Sequence, residues 1–387
     1  MRLYSKVDVM EAAKRRIRWC FNEFPNIICG MSGGKDSTVV FHLCLEVARE
    51  MGRLPLKVLF IDQEAEWQAT IDQVQRVMEH PDVEPMWFQM PIKLFNATST
   101  EEHWLKCWDP EAEDRWMRPR VPYAYTENKY GTDRFNALFG AIVAKEFPTT
   151  PTCYLAGVRT EESPTRFIGL TSTRTYKWIT WGAQLNTKLS HYTLYPIYDW
   201  SYTDVWAAIH KNGWEYCSIY DAYYNYGVPT RNMRVSNVHH ETAVNSLFHL
   251  QEIEPETYVK LTQRLKGVDM AGKMGKADYF PKELPFMFAS WAEYRDYLVD
   301  KLIDPEWQDK FKDKFAKDEE MYGDTPVASA MYGVHVASVL TNDWEFIKIK
   351  NWEATGEPYG IRRKKRGLAA WSNLDPKKVK KPKKSQS

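Results

Sequence analysis

No stretch of this chain approaches the roughly 18 consecutive apolar residues of a membrane-spanning helix, although 44% of its 387 residues are hydrophobic. A membrane span is therefore excluded. The opening run Met1-Arg2-Leu3-Tyr4-Ser5-Lys6-Val7-Asp8 lacks the hydrophobic region of a signal peptide. Cysteine is sparse and scattered: Cys20, Cys29, Cys44, Cys107, Cys153 and Cys217 include no CxxC pair. That spacing argues against a disulfide framework and fits a reducing compartment, so a cytoplasmic location is expected. His239-His240 has no ligand spacing with any cysteine, and no zinc site is expected. No internal repeat is visible.

One short run carries most of the information. Gly30-Met31-Ser32-Gly33-Gly34-Lys35-Asp36-Ser37 follows the apolar, strand-like Ile27-Ile28-Cys29. It precedes a helical pattern of Val40, Leu43, Cys44, Val47, Ala48 and Met51. Strand, glycine turn and helix form an arrangement that binds phosphate. Gly33 and Gly34 allow close backbone approach, and the helix start offers free N–H groups and a favourable dipole. Lys35 adds a point charge, and Ser32 and Ser37 add hydroxyls. The run is not a Walker A loop: Gly30 and Gly34 enclose three residues instead of four, and Asp36 follows the lysine.

Lys57 to Asp62 reads as a buried strand ending in an acid, Glu66 to Glu79 as a helix, and Val83 to Met90 as a third strand. This alternation predicts an α/β fold, a doubly wound and mainly parallel sheet whose ligands sit at the carboxyl ends of the strands. Helices are expected over 8–23, with Arg15, Arg16 and Arg18 on a solvated face, and over 132–147. Cys153 to Val158 reads as a strand. Ser201-Tyr202-Thr203-Asp204 reads as a capping box variant. Helical patterns follow at His240–Leu250, Glu256–Leu265, Ser290–Leu302 and Glu306–Met321. The expected organisation is a nucleotide domain over 1–235 with an insertion at 95–130, a helical region over 236–355, and a basic disordered tail over 356–387. The 16 tryptophans and 22 tyrosines, several between 176 and 226, suit core and interface better than base stacking.

Net charge is +1, but Arg362 to Lys384 holds 11 basic residues and one acid, Asp375. The tail therefore carries about +10 and the body about −9. Such a tail is either a solubilising disordered end or a salt-dependent nucleic-acid contact.

A second segment, Gly157-Val158-Arg159-Thr160-Glu161-Glu162-Ser163-Pro164-Thr165-Arg166, follows a strand and sets two arginines and a serine within eight residues. Arginine forks suit bidentate contacts to phosphate or sulfate. By itself the segment also reads as a charged helix start with Glu–Arg pairs. Asp62 is a candidate ligand near the loop or a helix N-cap, and Glu64 and Glu66 are lesser candidates. Lys177 is an anion contact or an exposed lysine. Cys217 has no neighbour in sequence that would lower its pKa, so it reads as a buried structural cysteine.

Ser32–Ser37 resembles the SGGxDS pyrophosphate loop of the N-type ATP pyrophosphatase (adenine nucleotide alpha hydrolase-like) superfamily. Gly157–Arg166 resembles the GxRxx(E/Q)SxxR element of phosphoadenosine phosphosulfate (PAPS) reductases, with Arg159, Glu162, Ser163 and Arg166 at the matching positions. Tyr195 to Trp206 is similar to that family's PIxDWxxxDVW segment, where Asp199 and Trp200 suit capping and packing. The resemblance covers residues 24–225. It implies an adenine nucleotide, ATP or PAPS, held by Ser32, Gly33, Gly34, Lys35, Asp36, Ser37, Asp62, Gly157, Arg159, Glu162, Ser163 and Arg166. Lys35, Asp36 and Arg159 would be the catalytic residues, and Asp36 or Asp62 would ligate Mg2+.

Two features of that family are missing. There is no Glu-Cys-Gly-(Leu/Ile)-His redox motif, which argues against sulfonucleotide reduction. There are no paired cysteines for an iron–sulfur cluster. The implied activity is then ATP cleavage at the α,β bond, with pyrophosphate release and adenylation of an unidentified acceptor. The alternatives are PAPS reduction and nucleotide sensing without turnover. Tyr220-Asp221-Ala222, Val228 to Arg234 and Glu252 to Tyr258 resemble the immunoglobulin-binding-regulator A type subgroup of phages and enterobacteria. That resemblance implies a ParB-like partner and a role in nucleic-acid modification.

Overall fold

Every residue of Asn26–Gly30 is buried, as a strand covered on both faces requires. In the computed structural model, which describes residues 6–365 apart from 100, 173, 187–188, 231–232, 234, 236–243 and 270–282, this strand lies at the heart of a six-stranded sheet. The elements run α1 (Val9–Glu23), β1 (Asn26–Gly30), α2 (Lys35–Glu50), β2 (Leu56–Ile61), α3 (Gln68–Met78), β3 (Val83–Phe88), β4 (Ile92–Phe95) and β5 (Trp104–Cys107). They continue with α4 (Phe135–Glu146), β6 (Thr152–Leu155), α5 (Pro164–Thr171), β7 (Gly182–Asn186), β8 (His191–Leu194), α6 (Tyr202–Asn212), α7 (Ile219–Asn225), α8 (Val244–Ile253) and α9 (Pro255–Arg264).

The strand order is β3-β2-β1-β6-β8-β7, parallel throughout except for β7 against β8. This is the expected doubly wound α/β class. The order runs outward in opposite directions from the β1–β6 pair, so the topological switch, where ligands of such sheets bind, lies between those two strand ends. α2 is buried on both its sheet-facing and its α1-facing sides. At the sheet's far side, Trp200 donates to the Val9 carbonyl at 3.1 Å. Arg16 forks onto Asp199 at 2.7 and 2.5 Å. Arg16 is thus committed to the Tyr195–Trp200 segment and does not face solvent as expected.

The region expected as an irregular insertion at 95–130 contains β5, which pairs antiparallel with β4. Its lock is a buried ion pair beyond β2, Glu64 with Arg264. Glu64, at φ 61°, is fully buried. It accepts from the Trp108 amide at 2.7 Å and from both forks of Arg264 at 2.6 and 3.1 Å. Glu254 reaches the uncapped start of α3, accepting from Gln68 and Ala69 amides at 2.7 and 3.0 Å. These bonds explain why the first compact unit extends to Gly275, beyond the expected boundary at 235.

The second unit, 276–387, is helical where described: Trp291–Leu302, Pro305–Tyr322, Ala328–Leu340, Ile347–Glu353 and Gly356–Lys365. Asp343 caps the fourth of these through the Ile347 and Lys348 amides, both at 2.8 Å. The last helix overlaps the stretch expected as disordered tail; Arg362 bonds Glu353 at 3.3 Å and Lys365 reaches the Glu320 carbonyl at 2.9 Å. The rest of the basic run, 366–384, lies outside the described residues, as does His239-His240. Among the described residues no helix is long and apolar enough to cross a membrane.

Breaking a buried ion pair strands a charge, at a cost of about 3–5 kcal/mol. Arg264→Ala is therefore expected to lower the urea midpoint strongly, and Glu64→Gln with Arg264→Met to lower it less. Equal or reversed losses in the two variants would show that the pair does not lock this region.

Candidate functional site

The turn after β1 is built for backbone exposure. Gly33 has φ 69°, and a Cβ there would stand 2.5 Å from Thr70 Cγ2, so both conformation and space demand glycine. Gly34 caps α2 without a side chain. The Ser37 hydroxyl donates to the Gly34 carbonyl at 2.9 Å and accepts from the Ser32 amide at 3.2 Å, which holds the turn closed. The N–H groups of Gly33, Gly34, Asp36 and Ser37 meet no protein acceptor among the described residues. They lie at the positive end of a 16-residue helix.

The second segment arrives at the same place because Gly157 permits it. A Cβ at Gly157 would meet the Asp36 carbonyl carbon at 2.7 Å and the Ser37 nitrogen at 2.9 Å. Arg159, 5% exposed, then donates through Nε to Asp36 Oδ1 at 2.5 Å. Lys35 Nζ donates to Asp36 Oδ2 at 2.9 Å. One carboxylate therefore separates two cations. Ser32 to Ser37, Gly157 and Arg159 are brought together. Glu162, Ser163 and Arg166 are adjacent but occupied: Glu162 accepts from the Arg159 amide at 3.1 Å and pairs with Arg166. Ser163 caps α5 through the Arg166 amide at 3.1 Å.

Asp62 does not join this group. It is fully buried, and both its oxygens are saturated: by the Glu64 amide at 2.8 Å and Arg118, and by Trp87 Nε1 at 2.9 Å and Gln89 Nε2 at 3.0 Å. Its expected role as nucleotide or Mg2+ ligand gives way to a scaffolding one, because no lone pair is left facing the loop. It does not cap α3 either, since that helix begins after Trp67. Among the described residues no cluster of three or more His, Cys, Asp or Glu can hold a metal. Asp36, partly exposed at the loop, is the carboxylate there that would contribute to a Mg2+ brought in with a polyphosphate.

Tyr220 was not legible as a site residue. Its hydroxyl lies on the Lys35 amide at 3.0 Å, yet it falls in an aromatic-rich stretch that reads as core. Cys217 is fully buried, and burial pushes its thiol up to about 11, opposite to what a thiolate nucleophile needs. Burial, aided by Asp62, likewise pushes the Glu66 carboxyl up to about 8.

That shift has a definite sign. A carboxyl raised from 4.5 to about 8 on folding contributes stability that is full below 4.5 and is lost as pH rises through 8. Relative to wild type, Glu66→Gln is expected to gain stability across that window, by at most about 1.4 kcal/mol per pH unit. Urea midpoints of both proteins at pH 5, 6.5 and 8 measure it; a constant difference would remove the assignment.

Residues 26–226 match the family described as the phosphoadenosine phosphosulfate reductase domain, and residues 227–349 match a domain of unknown function, DUF3440. The chain is 30% identical over 312 residues to the uncharacterized protein YbdN of Escherichia coli strain K12, covering 76% of each. A solved PAPS reductase from Candida auris, in a phosphate complex, aligns at 14% identity and a TM-score of 0.31, over 57% of this chain and 93% of that one. An FMN adenylyltransferase from Candida glabrata aligns at 14% identity and a TM-score of 0.35, over 55% of this chain. The chain spans 58% of that adenylyltransferase. With more than half its length matched by the family, and with the loop and the arginine segment joined at Asp36, the chain belongs to the phosphoadenosine phosphosulfate reductase domain family.

Proposed function

We propose that the protein binds ATP through Ser32–Ser37 and cleaves it between the α- and β-phosphates, passing the adenylyl group to an acceptor. The observation that carries this reading is the row of unpaired N–H groups at the start of α2, flanked by Lys35 and Arg159. Asp36 holds these two cations apart at present. A polyphosphate arriving at the loop offers them further oxygens, so the site already has the charge balance that such a ligand needs.

In this reading an acceptor oxygen attacks the α-phosphorus, a new P–O bond forms, and the bond to the β-phosphate oxygen breaks. Pyrophosphate leaves carrying the electron pair of the broken bond. The loop amides bind the β- and γ-phosphate oxygens. Lys35 and Arg159 offset the charge that grows on the leaving group, and their buried setting strengthens that effect. Holding the reactants in line supplies the rest. Mg2+, ligated by Asp36, would add neutralisation at the same phosphates. Sulfonucleotide reduction is the weaker alternative because the site offers no accessible thiol: all six cysteines are buried.

Pyrophosphate release from ATP, followed with wild type and Lys35→Ala, tests the proposal. The variant is expected to lose about 100- to 1,000-fold in turnover while remaining folded in thermal melts. Equal rates, or ADP as product, would sink it. Tight ATP binding without pyrophosphate release would favour nucleotide sensing instead.

A further inference from the structure

Tyr220 makes two contacts with the loop lysine. Its hydroxyl oxygen accepts from the Lys35 amide at 3.0 Å, and the Lys35 ammonium stands 5.7 Å from the centre of its ring. The side chain is 3% exposed, and a Cβ on Gly34 would stand 3.5 Å from its oxygen. α7 delivers the residue, and Trp206 packs edge-on against the ring at 5.1 Å. The oxygen already accepts a hydrogen bond from the Lys35 backbone N–H. Its own O–H finds no acceptor among the described residues. A buried phenol with an unspent donor costs free energy unless a ligand takes the proton.

We infer that Tyr220 is an anion-binding residue of the loop, which orients Lys35 and donates a hydrogen bond from its phenol to a phosphate oxygen seated on the amides of Gly33, Gly34, Asp36 and Ser37. This rests on the ATP reading above and adds a binding residue from outside the glycine loop and the arginine segment. The geometry has a chemical logic. The amide N–H of Lys35 polarises the phenol and makes its proton a better donor. Tyr220 is buried, so its bond to a charged oxygen is stronger than it would be at the surface. Burial also drives the phenol well above its ordinary value, so the proton stays in place across the physiological range.

The test compares wild type and Tyr220→Phe by calorimetric titration with ATP, pyrophosphate and adenosine. Loss of one hydrogen bond to a charged group is expected to weaken ATP and pyrophosphate binding by about tenfold to a hundredfold, with adenosine unaffected. A merely structural tyrosine would weaken all three ligands together. Unchanged or tighter binding of ATP and pyrophosphate by the variant overturns the inference, tighter binding meaning that the phenol obstructs the slot. A wild type that binds neither ATP nor pyrophosphate overturns the ATP reading and this inference with it. If thermal melts show that Tyr220→Phe does not fold, 3-fluorotyrosine at position 220 replaces it. Its more acidic phenol is expected to tighten ATP binding relative to adenosine, and no change would overturn the inference.

Discussion

The contact on which the site depends is the meeting of Asp36 with Arg159. It joins the first turn of α2 to the loop after β6, two segments separated by 123 positions in sequence. Each half is prepared for the meeting separately. The α2 start is fixed by Gly33 against Thr70 and by the Ser37 hydroxyl, while the β6 loop can come close only because residue 157 has no side chain. Arg159 is then drawn under Asp36 and held from its other side by Glu161, 3.1 Å away. Glu161 also accepts from the Tyr202 amide at 2.6 Å, which ties the start of α6 to the same knot. A guanidinium so deeply buried is tolerable because carboxylates surround it.

Much of this was legible. Glycines before a helix, a lysine and two flanking serines define a backbone anion site by local geometry alone, and local geometry is what a sequence records well. The strand–helix alternation likewise made the parallel sheet visible, since β1 and β2 carry apolar runs, Ile27–Cys29 and Val58–Ile61. β7 and β8 escaped notice because Gly182–Asn186 and His191–Leu194 are short and half polar, and their pairing depends on the sheet edge that receives them. Tyr220 escaped for a related reason: one tyrosine among several in an aromatic-rich stretch carries no distinguishing signal, and only the tertiary fold turns its hydroxyl onto the loop.

Asp62 shows how a correct local observation can point to the wrong role. An acid at a strand's carboxyl end beside a phosphate loop is placed where a metal ligand would be useful. What decided its role lies 25 to 56 positions away, in Trp87, Gln89 and Arg118. Those partners consume its lone pairs, and with Glu64 and Arg264 they make the end of β2 an anchor for the hairpin β4–β5. The negative charge serves cohesion there, leaving Asp36 as the carboxylate available to the loop.

That division of labour bears on the chemistry. A reductase needs a thiolate at the ligand, hence a low thiol pKa and access, and Cys217 has the opposite of both. Phosphoryl and adenylyl transfer need no protein nucleophile. They need oriented N–H groups, cations and little water, and these are the properties that Gly33–Ser37, Lys35 and Arg159 have without further change. The fold common to both reactions supplies the anion cradle. The difference lies in what else reaches it: here a tyrosine hydroxyl rests on the Lys35 amide, and all six cysteines are buried.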